Sequence, residues 1–198
     1  MPQPNSLCVY CGSSTGQHPE YAEQARAFGS TMAERGIALV YGGGNVGLMG
    51  IVADAVLAGG GKVTGVIPRQ LVEREVAHAG LTELVVVDTM HQRKTRMFEL
   101  SDAFVALPGG FGTMDEMFEM LTWAQLGLHR YPCAFLDVRG YYRDLRTMMD
   151  HMVGERFVRR EQRDSIWFGE DIGALFDWMG SYEGSYQPKW IDRGSVKA

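Results

Sequence analysis

Pro108-Gly109-Gly110-Phe111-Gly112-Thr113-Met114-Asp115-Glu116 sets a carboxylate just beyond a glycine loop. An apolar run, Ala103-Phe104-Val105-Ala106-Leu107, precedes the loop, and a helical pattern from Met114 to Leu128 follows it. Strand, glycine loop and helix N-terminus together aim backbone N–H groups at an anion, usually a phosphate. A site that only held phosphate would gain nothing from a negative charge in the first turn beyond the loop. Glu116 therefore points to chemistry beside a phosphate.

A second basic and polar segment, Met90-His91-Gln92-Arg93-Lys94, follows another apolar run. On a helix starting near His91, Arg93 and Lys94 fall in the first turn, where cations oppose the helix dipole. Two readings stand for this segment: a solvated basic face, and cations kept for a ligand anion or a carboxylate partner. Glu116 and Glu119 lie one helical turn apart with Trp123 on the same face, whereas Asp115 points elsewhere. Gly42-Gly43-Gly44-Asn45-Val46-Gly47 matches G-x-G-x-x-G, but it follows the second strand, and no acidic residue ends the next one to hold a ribose 2′-OH. A nicotinamide or flavin cofactor is thereby disfavoured. Tight-turn glycines and a mononucleotide contact through Gly44 and Asn45 both remain. Ser13 and Ser14, just after the first strand, present hydroxyls that serve either a phosphate or ribose, or simple turn and capping chemistry.

Several chemistries lack their residues. The five histidines show no metal-ligand spacing, and neither G-x-x-x-x-G-K-[ST] nor G-x-S-x-G is present. Cys8 and Cys11 form a Cys-x-x-Cys inside the apolar run Leu7-Cys8-Val9-Tyr10-Cys11. On a strand, residues three apart point to opposite faces, so the pair is not placed to chelate or to bridge. With three cysteines in all, no disulfide framework is implied, and a reducing, cytoplasmic setting is.

The elements that position these residues are legible as period. Apolar runs of strand length recur at 7–11, 37–41, 63–67, 84–87, 103–107 and 133–138. Helical stripes lie between most of them, such as Tyr21, Ala25, Phe28 and Met32, then Val52, Ala55, Val56 and Ala58, then Met117, Leu121, Ala124 and Leu128. Continuously apolar strands belong to a sheet covered on both faces. Alternating strand and helix then implies an α/β fold, a Rossmann-like, doubly wound, mainly parallel sheet with helices on both faces. Ligands of such sheets bind outside the carboxyl ends of the strands, where the segments at 12–14, 42–45, 73–78, 90–94 and 108–113 converge. No linker composition divides the 198 residues, which read as one domain with a folded core over about 6–180 and an irregular tail over 181–198. A net charge of −5 argues against a nucleic-acid partner, no apolar run reaches membrane-span length, and the N-terminus has no signal-peptide pattern.

Taken together, P-G-G-x-G-T-x-x-E at 108–116, GGGNVGLMG at 42–50, MHQRK at 90–94 and WAQLG at 123–127 resemble the LONELY GUY (LOG) family over about residues 6–180. The resemblance implies a phosphoribohydrolase without a cofactor. Such an enzyme cleaves the N-glycosidic bond of cytokinin riboside 5′-monophosphates to free base and ribose 5-phosphate. It places the catalytic pair on Arg93 and Glu116, the phosphate loop on Gly109, Gly110, Phe111, Gly112 and Thr113 with Met114 and Asp115 adjoining, and Lys94 beside Arg93. A substrate-contacting glutamate falls on Glu75. Relatives form dimers, so a homodimer is implied as well.

Glycosidic cleavage passes through an oxocarbenium-like transition state. Glu116 is suited to stabilise that charge, to hold the ribose hydroxyls or to orient water, and Arg93 to orient Glu116 and the phosphate or to stabilise the departing base. The base itself is left open between isopentenyladenine, another N6-modified adenine and the plain adenine of AMP. The rival reading is a non-catalytic nucleotide or cofactor carrier on the same sheet. A lysine decarboxylase, the label many relatives carry, would need a Schiff-base lysine, and none stands in an evident context.

Overall fold

The computed structural model describes residues 3–72 and 77–184. Its strands are β1 (Ser6–Tyr10), β2 (Ala38–Tyr41), β3 (Val63–Pro68), β4 (Glu83–Val87), β5 (Phe104–Ala106), β6 (Cys133–Leu136) and β7 (Ile166–Gly169). The helices are α1 (Pro19–Glu34), α2 (Gly47–Ala58), α3 (Arg69–Val72), α4 (Met90–Glu99), α5 (Phe111–Leu126), α6 (Arg143–Gly154), α7 (Arg160–Asp164) and α8 (Ile172–Ser181). The strands form one sheet in the order β4-β3-β2-β1-β5-β6-β7, and every pairing is parallel. The fold is the Rossmann-like doubly wound sheet that the periodicity implies.

Strand period sorts the core into two layers. Leu7 and Val9 of β1 join a cluster with Ala25, Phe28 and Met32 of α1, Val52 and Val56 of α2, and Leu175 and Phe176 of α8. Cys8 and Tyr10 point the other way, into a cluster with Met97 of α4, Met117 and Met120 of α5, and Met149 of α6. Cys11 belongs to the first cluster and Cys8 to the second, so the Cys-x-x-Cys straddles the sheet. All three cysteines are free and buried.

Strand order builds outward from β1 through β2, β3 and β4 on one side and through β5, β6 and β7 on the other. The reversal between β1 and β5 opens a crevice at their carboxyl ends, the usual ligand position in such a sheet. The loops after β1 and β5 therefore flank one place although about a hundred residues separate them.

Two expectations need correction, and one stretch holds elements that the periodicity did not name. β4 is an edge strand and is not covered on both faces: Leu84 is 38 % and Val86 41 % exposed. The chain from 139 to 181 carries α6, α7, β7 and α8, none of which was read from sequence. Ile166–Gly169 is only partly buried, and its apolar run, Ile166-Trp167-Phe168, is shorter than those that read as strands. Finally, α5 begins at Phe111 and not at Met114. Glycine costs a helix about 1 kcal/mol, so Gly110 and Gly112 read as loop, yet tertiary anchoring of the loop starts the helix there. Glu116 consequently sits in the second turn of α5.

Candidate active site

Three loops are tied together at the crevice by backbone. The Gly12 N–H donates to the Pro108 carbonyl at 3.0 Å, and the Leu48 N–H donates to the Gly12 carbonyl at 3.0 Å. Glycine makes the approach possible. Gly47 has φ +60, and a Cβ there would lie 2.3 Å from Ser13 C and Ser14 N. A Cβ on Gly109 would lie 2.1 Å from Thr113 Oγ1 and 2.9 Å from the Gly12 nitrogen. No side chain fits between these segments.

At the head of α5, Gly110 is the N-cap and supplies no side-chain acceptor. The Met114 N–H makes its bond to the Gly110 carbonyl at 3.1 Å, so the N–H groups of Phe111, Gly112 and Thr113 precede the first intrahelical bond. With the helix dipole behind them, they suit an anion. The carbonyls of the same loop are held from behind: Leu107 by the Tyr142 hydroxyl at 2.6 Å and Gly109 by the Tyr141 hydroxyl at 2.5 Å. Thr113 is buried, whereas the Phe111 ring is 96 % exposed.

Arg93 is on α4, whose N-cap Thr89 accepts from the Gln92 N–H at 3.1 Å. Arg93 is only 6 % exposed, and its guanidinium donates from Nη2 to the Gly42 carbonyl at 3.1 Å. Arg93 Nε is buried with no hydrogen-bond partner. A buried cation without a full set of acceptors is costly, and an arriving anion or hydroxyl would relieve it. Glu116 is half-buried on the second turn of α5. Both charges are felt at the buried Cys8 thiol in the middle of β1: burial pushes the thiol pKa up, Glu116 pushes it further and Arg93 opposes.

Lys94 turns elsewhere. Its Nζ pairs with Asp115 at 3.2 Å and Glu119 at 3.3 Å, joining α4 to α5. Burial works against its charge, but the bonds to the two carboxylates prevail and hold its pKa above the ordinary value. Trp123 continues this stripe against Phe98 of α4, edge-on at 5.0 Å. Asp115, expected to face away from the glutamate stripe, is indeed exposed, yet it is one arm of this tie.

The other residues singled out divide between the crevice and its surroundings. Ser14 is exposed, and its Oγ accepts from the Gly16 N–H at 3.2 Å, the turn role, with the hydroxyl proton still to give. Gly44 is buried and bridges Ala77, while the Gly43 carbonyl accepts from the His78 N–H at 3.1 Å. Asn45 is exposed beside it, and Met114 is half-buried in the first turn of α5. Glu75 lies outside the described residues. Tyr141 was missed; the end of the strand run at 133–138 is as much a strand end as those named, and following it forward would have reached this residue. A separate cavity of about 270 Å³, bounded by Leu121, Gln125, His129, Met149 and Gln162, opens near the first residues of β6 and β7, away from the carboxyl edge.

Comparison with known proteins gives the family of the chain. Residues 49–179 match the family model described as "Possible lysine decarboxylase". A cytokinin riboside 5′-monophosphate phosphoribohydrolase of Arabidopsis thaliana is 48 % identical over 177 residues, 89 % of this chain and 82 % of that protein. One of Rhodococcoides fascians is 48 % identical over 176 residues, 88 % of this chain and 89 % of that protein. Among solved structures, the molybdenum cofactor binding protein of Rippkaea orientalis shares the fold with a TM-score of 0.67 at 18 % identity, covering 89 % of this chain and 95 % of that one. The molybdenum cofactor carrier protein of Chlamydomonas reinhardtii has a TM-score of 0.67 at 17 % identity, over 87 % and 93 %. With nearly half its residues shared with named phosphoribohydrolases over most of its length, the chain belongs to the LOG family of cytokinin riboside 5′-monophosphate phosphoribohydrolases.

Proposed function

We propose that this protein hydrolyses the N-glycosidic bond of N6-modified adenosine 5′-monophosphates, and of AMP itself, releasing the free base and ribose 5-phosphate. The observation that carries the reading is the 48 % identity to named phosphoribohydrolases over nearly nine-tenths of the chain. The carriers share only the fold, at 17–18 % identity.

The N–H groups at the head of α5 receive the 5′-phosphate, so binding energy far from the scissile bond sets the sugar in place. Glu116, one turn deeper, faces the ribose and either stabilises the developing positive charge or orients the attacking water. Arg93, fixed by the Gly42 carbonyl, supplies the buried cation beside it. Ser14, Gly44 and Asn45 are assigned to substrate contact, and Glu75 likewise on the family resemblance alone. Lys94 acts through Asp115 and Glu119, as the tie that sets α4 against α5. A Schiff-base lysine does not fit: Lys94 is the described lysine at this edge, and its two carboxylate partners keep it protonated.

The protein is further proposed to be a cytoplasmic homodimer. The three free cysteines support a reducing compartment, and exposed Leu126, Leu128 and Met148 support an apolar contact between copies on the α5–α6 side. Among the described residues no helix is long and apolar enough to cross a membrane. The test is incubation with AMP, isopentenyladenosine 5′-monophosphate and the two nucleosides, with chromatography of the released base. Release from the monophosphates and little from the nucleosides is expected. No release from either monophosphate would overturn the reading.

A further inference from the structure

Three consecutive carbonyls at the end of β5 each have a fixed donor: Leu107 the Tyr142 hydroxyl, Pro108 the Gly12 N–H, and Gly109 the Tyr141 hydroxyl. A loop that takes an anion on its N–H groups has to turn its carbonyl oxygens away, since a lone pair facing the anion repels it. In a planar trans peptide the C=O and the following N–H point in opposite directions. A hydroxyl that holds the Gly109 carbonyl therefore also sets the direction of the Gly110 N–H, and polarises that peptide so that its N–H donates more strongly.

Tyr141 is delivered to this position by backbone that is otherwise disfavoured. Arg139 adopts φ 60 and ψ 24, a left-handed conformation costly to a residue with a Cβ, and Gly140 follows with φ 69. The turn is held by the Tyr142 N–H donating to Asp137 at 2.5 Å and by the ion pair of Arg139 with Glu20. The Tyr141 ring is then braced edge-on by Tyr21 at 5.9 Å and by Tyr142 at 4.9 Å. Tyr142 is buried to 1 % exposure and its place is a core place; Tyr141 is 44 % exposed, so its hydroxyl is not needed to fill the core.

We infer that Tyr141 is a positioning residue for phosphate recognition, its hydroxyl orienting the Gly109–Gly110 peptide so that the loop presents N–H groups to the 5′-phosphate. The inference rests on the reading of 109–113 as the phosphate site. Tyr141 touches no reacting atom, so its effect falls on binding of the phosphate and not on the bond that breaks.

Tyr141→Phe keeps the ring and its bracing and removes only the hydroxyl. The expected result is a KM for AMP raised about fivefold with kcat within about twofold, the scale of one hydrogen bond. The inhibition constant of ribose 5-phosphate rises by the same factor, that of adenine stays put, and the melting temperature is unchanged. Unchanged KM and ribose 5-phosphate inhibition would overturn the inference. So would equal weakening toward adenine and ribose 5-phosphate with a fall in melting temperature, the mark of a structural role. Should the wild-type protein release no base from AMP, the hydrolase reading fails by itself. Calorimetric binding of ribose 5-phosphate then decides for Tyr141: weaker binding by the variant supports it, and equal or absent binding by both proteins overturns it.

Discussion

The Arg93 guanidinium occupies the space that a side chain at residue 42 would need. Its Nη2 donates to the Gly42 carbonyl at 3.1 Å, and a Cβ built on Gly42 would come within 1.9 Å of that nitrogen. The glycine after β2 is thus a seat for a cation carried by α4.

Gly42→Ala should accordingly damage catalysis more than folding. The colliding group is the end of a flexible side chain, so the backbone need not move, but the guanidinium must. A displacement of about 1 Å costs on the order of 100-fold in rate when a group must be aligned. Steady-state turnover of AMP beside a thermal melt checks this; normal turnover would show that the seat does not matter.

For Glu116→Gln the expected outcome is a loss of turnover by about 10²–10⁴, the usual range for a proton-transferring or charge-stabilising carboxylate. AMP affinity, measured by calorimetry, should change only a few fold, because the phosphate contacts lie one turn earlier on α5. Wild-type activity in the variant would remove Glu116 from the mechanism.

Gly109→Ala acts on the phosphate loop by a different route. The added methyl meets Thr113 Oγ1 at 2.1 Å and the Gly12 backbone nitrogen at 2.9 Å, so the loops after β1 and β5 must part. Loss of one hydrogen bond to a charged phosphate corresponds to a KM for AMP raised about tenfold or more. A lower melting temperature should accompany it, since the obstacle includes backbone. An unaltered KM would exclude this loop from phosphate binding.

The pH dependence of stability should carry the signature of His129. It is buried, accepts from the Tyr131 N–H at 3.1 Å and meets the Met120 carbonyl at 2.8 Å, an arrangement satisfied by the neutral ring with its proton on Nε2. Burial lowers its pKa, and the bond to Met120 only partly opposes this. As pH falls below the ordinary value of 6.5, the unfolded chain takes up a proton before the folded one. The contribution is complete above that value and is lost as pH falls through the lowered one. Denaturant unfolding at pH 7.5, 6.5 and 5.5 should show the decline, and His129→Gln should flatten it. An equal slope in the variant would assign the decline to other groups.

Much of the architecture was decided locally. Ala25, Phe28 and Met32, spaced for one helical face, are buried together in α1, and the runs at 7–11, 63–67 and 103–107 became central strands. Apolar period is a property of neighbours along the chain, and a run without polar alternation can only be stable between two layers. The glycines and charges of 42–47, 90–94 and 108–116 were equally legible, because an anion site needs N–H groups uncovered by side chains, whatever the fold.

Other relationships were settled only by tertiary structure. Lys94 looked like a partner of Arg93, but neighbours on a helix diverge by about 100°, which sends one side chain to Gly42 and the other to Asp115 and Glu119. The start of α5 ran against glycine's helix propensity because the anchored loop imposes it. Arg93 meets Gly42 across 51 positions of sequence and Tyr141 meets Gly109 across 32, contacts that exist because α4 crosses from β4 toward β5 past the end of β2 and because β6 lies beside β5. Composition and period determine which segments pair with water and which with one another. The order in which strands are laid side by side, a choice made by the packing of the whole chain, determines which side chains meet at their ends.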